Sequence, residues 1–317
     1  MIEPVHRIGQ QAYGAWGNHT ATIDWCEDNY THSHYVAEWY NTISNIPFVA
    51  LGIFGAYSAL KSRPGQRPIP HAWRYAVANL GITGIGLGSF VFHATLKWHA
   101  QVLLDELPMI FVVSLMLYLI CADEARWSAT GDRWKLKLGL ASVPLGVSAL
   151  YLYYPNPVLH QVCFATIQLT STYRTILLFK TAPKTIPQTD IKAAKHYILS
   201  GSLLFILAFA IWNVDNIWCD AWTQLRGYFW SMSGYGGALG GLVGAVTQGH
   251  AWWHLLTGIG CSRIAVGTTY LMLSRRHPGQ FELTRPVLGL VPAVQWRTTT
   301  GGGGISGNGS AKMNKWN

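Results

Sequence analysis

Charged side chains are scarce in this chain. Asp, Glu, Lys and Arg together make up 12% of its 317 residues, about half of their usual share in globular domains. Hydrophobic residues make up 50%, so the composition disfavours one or two soluble domains and favours a membrane protein. The first 25 residues lack the continuous apolar run of a signal peptide, and we therefore expect the first membrane span to direct targeting.

Long apolar runs recur along the chain. A helix that crosses a bilayer needs about 20 apolar residues, and the sequence predicts seven of them. The predicted spans are 40–60, 73–93, 102–121, 136–154, 158–179, 196–214 and 249–273. The Gly-rich stretch 231–246 could be an eighth span, a re-entrant piece or an interfacial loop, and we prefer the loop. The predicted fold class is an all-α membrane protein, a seven-transmembrane helix bundle.

The basic residues predict how this bundle is oriented. Lys and Arg are enriched in short cytoplasmic loops, and 18 of the 23 basic residues follow odd-numbered spans. This pattern predicts a lumenal N-terminus and a cytosolic C-terminus, and it accounts for the +9 net charge without a nucleic-acid partner. We expect a lumenal segment 1–39, a catalytic bundle 40–273 and a largely flexible cytosolic tail 274–317.

Two pairs of polar residues stand at helical spacing within apolar spans. Ser89 and His93 are four residues apart, as are His250 and His254, so each pair lies on one face of its helix. Two imidazoles from one helix and a third from another supply the three nitrogen ligands of a hydrolytic zinc site. Alternatively, the histidines pack or form interhelical hydrogen bonds. The spacing alone leaves both interpretations open.

Acidic residues cluster in two further places. Asp105 and Glu106 begin the third span in "QVLLDELP", where one carboxylate could act as a general base or simply favour a helix N-terminus. The segment "DWCEDNY" and the following Glu38 offer oxygen ligands of the kind that calcium takes, although a solvated acidic segment is an alternative. Cys26 and Cys219 both fall on the predicted lumenal side, where disulfides persist, but the sequence does not settle their pairing.

Five ordered motifs together resemble the alkaline ceramidase family, and its fungal members most. They are "DWCEDNY…AEWYNTISN", "GSFVFHATLK", "LLDELPMI", "WNVDNIWCD" and "HAWWHLLTG". The resemblance runs from about Trp16 to Leu273. The family lies within a larger group of seven-helix hydrolases that includes the adiponectin and progestin receptors.

This resemblance implies hydrolysis of the ceramide amide to a sphingoid base and a fatty acid, in the membrane of the endoplasmic reticulum or Golgi. No protein partner is expected. The resemblance also implies zinc ligation by His93, His250 and His254. It places Ser89 in the site and makes Asp105 the carboxylate that takes the proton of the attacking water. It also implies a disulfide between Cys26 and Cys219. The implied calcium ligands are Asp24, Trp25 through its carbonyl, Glu27, Asn29 and Glu38.

Two departures from the family pattern affect these expectations. Asp105 follows His93 by twelve residues, one more than the family pattern, and one extra residue in an unbroken helix would rotate Asp105 by about 100°. We expect a turn around Lys97–His99 to absorb it. The second departure is the Gly-rich insert 231–246. A receptor or lipid-binding signalling protein with a structural zinc is the alternative function, and "DWCEDNY" with the lumenal N-terminus favours the ceramidase.

Overall fold

The computed structural model describes residues 14–62, 64, 66–122, 133–232 and 237–298, and most of them are helical. The helices are α1 (Trp39–Ile43), α2 (Asn45–Leu60), α3 (Ala72–Thr95), a π-helix (Ala100–Glu106), α4 (Leu107–Ala122), α5 (Arg133–Tyr153), α6 (Pro157–Lys180), α7 (Gln188–Ile217), α8 (Cys219–Met232), α9 (Ala238–Val246) and α10 (Gly249–Arg276). Two short strands, β1 (Phe281–Leu283) and β2 (Val294–Trp296), form an antiparallel hairpin.

Six helical segments in the described part of the chain are long and apolar enough to cross a membrane. They are Trp39–Leu60, Ala72–Thr95, Ala100–Ala122, Trp134–Tyr153, Pro157–Lys180 and Gln188–Ile217. Each coincides with one of the first six predicted spans. The molecule is therefore an all-α membrane protein, as predicted.

The seventh predicted span corresponds to α10, which is not among those six. Its 28 residues extend over about 42 Å, enough to cross a core of about 30 Å. It is less apolar because it carries His250, His254, Arg263 and several Gly, Thr and Ser residues. Many of these lie buried against other helices rather than against lipid. That α10 crosses the bilayer remains a prediction.

Small residues let α10 pack closely on its neighbours. A Cβ added to Gly201 of α7 would lie 2.6 Å from the carbonyl oxygen of Gly260 in α10. A Cβ on Gly260 would in turn lie 2.8 Å from the carbonyl oxygen of Gly201. Contacts of this kind are typical of helix pairs in membranes. They hold α10 beside α7, while α2 and α3 pack on its other side.

The insert before α10 is helical, so the preferred interpretation of a loop at 231–246 is wrong for its described residues. Residues Ala238–Val246 form α9, which follows the 14-residue helix α8. Glycine weakens a helix by only about 1 kcal/mol per residue, and Leu239, Leu242 and Val246 still line one face of α9. Asp215 Oδ1 accepts a hydrogen bond of 3.2 Å from the backbone N–H of Gly249. The insert therefore leaves and returns at the same end of the bundle.

The segment after α10 is ordered over its described part, in contrast to the largely flexible tail expected at 274–317. Arg297 Nη2 donates to Asp190 Oδ1 at 2.9 Å, and Trp296 Nε1 donates to the carbonyl of Arg67 at 2.7 Å. Phe281 is fully buried. The hairpin is held because it buries aromatic surface and pairs its arginine with a buried carboxylate. Residues 299–317 lie outside the described residues.

Candidate metal and catalytic site

Three imidazoles meet where α3 and α10 face each other at one end of the bundle. His93 lies in the last turn of α3, and His250 and His254 lie in the first two turns of α10. One ring nitrogen from each lies within 4.8 Å of those of the other two, and Nε2 of His93 and Nε2 of His250 are 3.2 Å apart. All three side chains are buried. The structure thus brings together the three predicted zinc ligands.

The far side of two of these rings is held by other side chains. Nδ1 of His93 donates a hydrogen bond to Oε2 of Glu38. Nδ1 of His254 lies 2.8 Å from Oγ of Ser44 and 3.3 Å from Nδ2 of Asn45. Nδ1 of His93 donates to Glu38, and Nδ1 of His254 can donate to Ser44 Oγ; in these tautomers Nε2 of each ring faces inward with a free lone pair. Second partners of this kind are typical of metal-binding histidines.

The third ring, His250, is held by stacking instead. Its imidazole lies on the indole of Trp25, with ring centroids 4.0 Å apart and planes 20° apart. Nδ1 of His250 is buried and has no hydrogen-bond partner among the described residues. The opposite nitrogen, Nε2 of His250, lies 3.2 Å from Nε2 of His93, so buried imidazole nitrogens face one another, and a metal ion among the three rings would bind them. The residues present therefore fit a metal of the zinc type.

Ser89 and Asp105 join this centre because two helices approach unusually closely. A Cβ on Gly88 would lie only 1.7 Å from the carbonyl oxygen of Leu104, so only glycine allows this approach. Ser89 and Asp105 follow these two residues, and the Ser89 side chain is near enough to the Asp105 carboxyl group to affect it. Oγ of Ser89 also lies 3.4 Å from Nε2 of His254. The predicted catalytic pair thus lies beside the histidines.

The extra residue between His93 and Asp105 is absorbed in two places. Helix α3 ends at Thr95, and Leu96 takes a left-handed conformation with a φ of 49°. The chain then enters the π-helix, where the N–H of Leu107 bonds to the carbonyl of Val102, five residues back. A π-helix carries more residues per turn than an α-helix and is common at functional sites. The expected turn is therefore only part of the adjustment that keeps Asp105 near Ser89.

The N-terminal segment folds back onto the end of α3 and delivers two glutamates. The backbone N–H of Ala37 bonds to the carbonyl of Ala94 at 2.9 Å, and that of Glu38 to the carbonyl of His93 at 3.0 Å. The Glu27 carboxylate accepts the backbone N–H groups of Tyr40 and Asn41 at 2.7 and 2.8 Å. Glu27 therefore caps the first turn of α1, and Glu38 contacts the histidine site directly.

The electrostatics of this segment favour a cation. Burial raises the pKa of Glu27 to about 8, and the neighbouring Glu38 carboxylate adds to the rise. Burial also raises the pKa of Glu38 well above its ordinary value, and the charge of Asp24 contributes. A divalent ion among these carboxylates would favour their ionised forms.

The remaining predicted calcium ligands lie around the same segment. Oδ1 of Asp24 accepts a 3.2 Å hydrogen bond from Nδ2 of Asn29, whose own Oδ1 is buried without a hydrogen-bond partner among the described residues. The predicted oxygen ligands lie farther apart than the histidine nitrogens. Among the described residues, only the three histidines form a group of His, Cys, Asp or Glu side chains whose ligand atoms all lie within 4.8 Å of one another. The structure therefore gathers these residues in one region without bringing their carboxylates as close together.

The predicted disulfide between Cys26 and Cys219 is present, with the two Cα atoms 5.4 Å apart. It ties the N-terminal segment to the first residue of α8. Arg226 strengthens this connection, because its Nη2 donates to the carbonyl of Cys26 at 2.6 Å. Its positive charge also lowers the pKa of Glu27 slightly against the larger effect of burial.

Several other residues of the site were not singled out from the sequence. Ser44 and Asn45 are part of the motif "AEWYNTISN", whose polar residues at the start of an apolar span were the available signal. His160, to which the sequence analysis gave no role, bonds through Nε2 to the carbonyl of Glu106 at 2.8 Å. Its position at a helix start gave no sign of this contact.

Comparison with known proteins yields one consistent result. The sequence model of the ceramidase family matches residues 17–295. Alkaline ceramidase 3 of Mus musculus is 35% identical over 247 residues, which cover 78% of this chain and 82% of the relative. The alkaline ceramidase YPC1 of Saccharomyces cerevisiae is 31% identical over 257 residues, covering 78% and 75%. The alkaline ceramidase of Arabidopsis thaliana is 28% identical over 286 residues, covering 88% and 94%.

Proposed function

The chain belongs to the ceramidase family, and from this premise we propose that it hydrolyses the amide bond of ceramide or a related phytoceramide or dihydroceramide. The products are a sphingoid base and a free fatty acid. The observation that carries the proposal is the meeting of three buried imidazoles with Ser89 and Asp105 at one end of a membrane helix bundle. The membrane location supplies a lipid substrate directly to this end of the bundle.

His93, His250 and His254 would hold a zinc ion through their inward-facing nitrogens. Zinc bound in this way lowers the pKa of water towards about 7 and polarises a carbonyl group. Glu38 and Ser44 fix the orientation of two of the rings. The stacked indole of Trp25 covers the third ring and excludes water from that side.

Asp105 is the residue that moves a proton. Its carboxylate accepts a proton from the water that attacks the amide carbon, and it returns that proton to the nitrogen of the leaving sphingoid base as the C–N bond breaks, which is general base and then general acid catalysis. Asp105 is partly buried next to Ser89, and Ser89 lies beside His254, so an amide bound at the histidines would lie within reach of both side chains. Ser89 donates a hydrogen bond to the negative charge that develops on the carbonyl oxygen, a contribution on the order of 3 kcal/mol.

A calcium ion would occupy the N-terminal segment, held by Asp24, Glu27, Asn29, Glu38 and the carbonyl of Trp25. Two observations support a cation at this position. The pKa values of Glu27 and Glu38 are raised, and the buried Oδ1 of Asn29 has no hydrogen-bond partner among the described residues. Its role would be structural or regulatory, because Glu38 contacts His93 and Trp25 contacts His250.

The proposed location is the endoplasmic reticulum or Golgi membrane, with the N-terminus and the histidine site on the lumenal side. The segments that the charge pattern assigns to the other side do lie together. Arg67, Asp190 and Arg297 are brought to one end of the bundle by the C-terminal hairpin.

The test uses purified full-length protein in detergent or vesicles, with ceramide, dihydroceramide and phytoceramide offered separately. Mass spectrometry measures the released base and fatty acid, and elemental analysis measures zinc and calcium in the same sample. We expect equal molar release of both products from at least one substrate, and a loss of release of about 100-fold or more in Asp105→Asn. Absence of hydrolysis of all three substrates by the zinc-loaded protein would contradict the proposal.

A further inference from the structure

Glu106 is a buried carboxylate that the proposed reaction leaves unused, although it is the immediate neighbour of Asp105. We propose that Glu106 and Tyr151 are positioning residues, which lock the π-helix in the rotation that presents Asp105 to Ser89. This inference rests on the proposed function, because it assigns Glu106 and Tyr151 a role through Asp105.

The Glu106 carboxylate is held on both of its oxygens. The hydroxyl of Tyr151 in α5 donates to Oε2 at 2.6 Å, and Nε2 of Gln101 donates to Oε1 at 3.2 Å. Tyr151 and Gln101 are fully buried, and Glu106 is 8% exposed. Bonds to a carboxylate are stronger than bonds between neutral groups, so this contact fixes the side chain firmly.

Gln101 cannot turn its amide round, because a second segment determines its orientation. Its Oε1 accepts the backbone N–H of Thr22 at 2.8 Å, and its Nε2 donates to Oγ1 of Thr22 at 2.8 Å. Nε2 therefore has to face Glu106. The N-terminal segment and α5 thus hold the π-helix from two directions.

Asp105 and Glu106 point to different neighbours because they are consecutive. Consecutive side chains diverge by about 100° in an α-helix and by a smaller but still large angle in a π-helix. Asp105 lies on the side of the π-helix that meets α3, where Leu104 contacts Gly88 and Ser89 is its neighbour, whereas Glu106 bonds to Tyr151 of α5. A rotation of the π-helix that released one contact would also move the other, so the bond to Tyr151 restrains the direction of Asp105.

The π-helix needs such a restraint because its own backbone is incompletely bonded. Pro108 has no N–H to donate to a carbonyl of the preceding turn, and the carbonyl of Leu104 lies against Gly88. The carbonyl of Glu106 also bonds to Nε2 of His160 in α6, at 2.8 Å. Side chains from α5 and α6 therefore both contact Glu106, the residue next to the proposed proton-transfer group.

Tyr151→Phe removes one hydroxyl and leaves the ring in place, so it tests the restraint with little change in packing. We expect kcat for ceramide to fall about 10- to 100-fold, because a displacement of the Asp105 carboxylate by about 1 Å would have an effect of this size. KM and zinc content should be unchanged. Glu106→Gln should give the same result, because its amide would meet the fixed amide of Gln101 or fail to accept from Tyr151.

Tyr270→Phe is the matched control. Tyr270 is also buried, and its hydroxyl donates to the carbonyl of Phe281 at 3.4 Å, near the opposite end of α10. Removal of the Tyr270 hydroxyl should leave kcat unchanged, even if the loss of its hydrogen bond lowers the unfolding temperature. A general loss of packing would lower kcat in both variants.

Hydrogen–deuterium exchange supplies a readout that does not depend on turnover. Peptides that cover residues 100–107 should exchange faster in Tyr151→Phe than in the wild-type protein and in Tyr270→Phe. The inference is overturned if Tyr151→Phe and Glu106→Gln keep the wild-type kcat and exchange rate. It is also overturned if zinc is lost together with kcat, since the residues would then act on the metal centre. If wild-type protein hydrolyses no ceramide, the proposed function fails first. If wild type is active, Asp105→Asn inactive and Tyr151→Phe fully active, only this inference fails.

Discussion

Glu38 and His93 are joined twice, once through the backbone and once through their side chains. The N–H of Glu38 donates to the carbonyl of His93 at 3.0 Å, and Nδ1 of His93 donates to the Glu38 carboxylate. Both side chains are fully buried. The proposed calcium ligand is therefore also the residue that orients a proposed zinc ligand, and the two sites share one side chain.

Glu38→Gln is expected to weaken zinc binding about 10- to 100-fold, which is the usual effect of removing a second partner of a metal-binding histidine. The glutamine can still accept one hydrogen bond, but it has lost the negative charge that makes the imidazole a stronger ligand. Zinc affinity is measured by competition with a chelator of known affinity. Glu282→Gln, in the hairpin at the other end of α10, is the control and should bind zinc as the wild type does. Equal zinc affinity in Glu38→Gln and wild type would refute the orienting role.

Glu27→Gln should lower the calcium affinity by about tenfold or more, because the charge of the ligands sets the affinity of a calcium site. Zinc content should stay at the wild-type level, since Glu27 bonds to the backbone of α1 and not to a histidine. The measurement is hydrolysis as a function of free calcium, with zinc analysed alongside.

Asp28→Asn is a closely matched control for that experiment. Asp28 is the neighbouring acidic residue and lies outside the proposed ligand set, so its neutralisation should change the calcium response by less than about twofold. A similar loss in Asp28→Asn and Glu27→Gln would point to general electrostatic attraction. Full activity of the wild type in a calcium chelator would argue against the calcium site altogether.

Gly88→Ala should disrupt the approach of α3 to the π-helix. Its Cβ would lie 1.7 Å from a backbone oxygen, which cannot move aside as a flexible side chain can, and overpacking of this kind costs about 1–3 kcal/mol or more. Separation of Ser89 from Asp105 should also reduce kcat. Gly84→Ala, one turn earlier in the same helix, meets nothing within 4 Å and should leave both activity and unfolding temperature near wild type. Normal stability and activity of Gly88→Ala would show that this close approach does not exist in the protein.

The predicted orientation can be read from glycosylation. Asn18 lies in the sequon "NHT" and is exposed, so a lumenal N-terminus should lead to its modification. The expected result is a gel shift that an endoglycosidase removes and that Asn18→Gln abolishes. The tail contains a second sequon, "NGS", at residues 308–310. A shift abolished by Asn308→Gln instead would place the C-terminus in the lumen and overturn the topology.

The sequence predicted the main helices and the histidines because both follow simple spacings. Apolar runs of about 20 residues identified the first six spans, and the four-residue spacing of His250 and His254 placed both rings on one face. The family resemblance supplied His93 as the third member and paired Cys26 with Cys219, and the structure contains that disulfide.

The parts that the sequence did not predict depend on tertiary contacts. Glu38 could be identified only as an oxygen ligand, because its bond to His93 requires the N-terminal segment to fold back onto α3. The extra residue between His93 and Asp105 is visible in the sequence, but the sequence does not show that a π-helix, as well as a turn, absorbs it. The sequence of the C-terminal hairpin predicted a flexible tail, because the hairpin is stabilised by contacts with Asp190 and Arg67, which are far away in the sequence.

The most direct test of the central claim is the zinc content of purified protein measured together with fatty-acid release from ceramide, in wild type, His250→Ala and His196→Ala. His196 bonds to Arg263 outside the site and serves as the matched histidine. We predict about one zinc per chain and full activity in wild type and His196→Ala, and loss of both in His250→Ala, because a hydrolytic zinc site keeps three protein ligands. Retention of zinc and activity in His250→Ala, or an active wild-type protein that contains no zinc, would contradict the account.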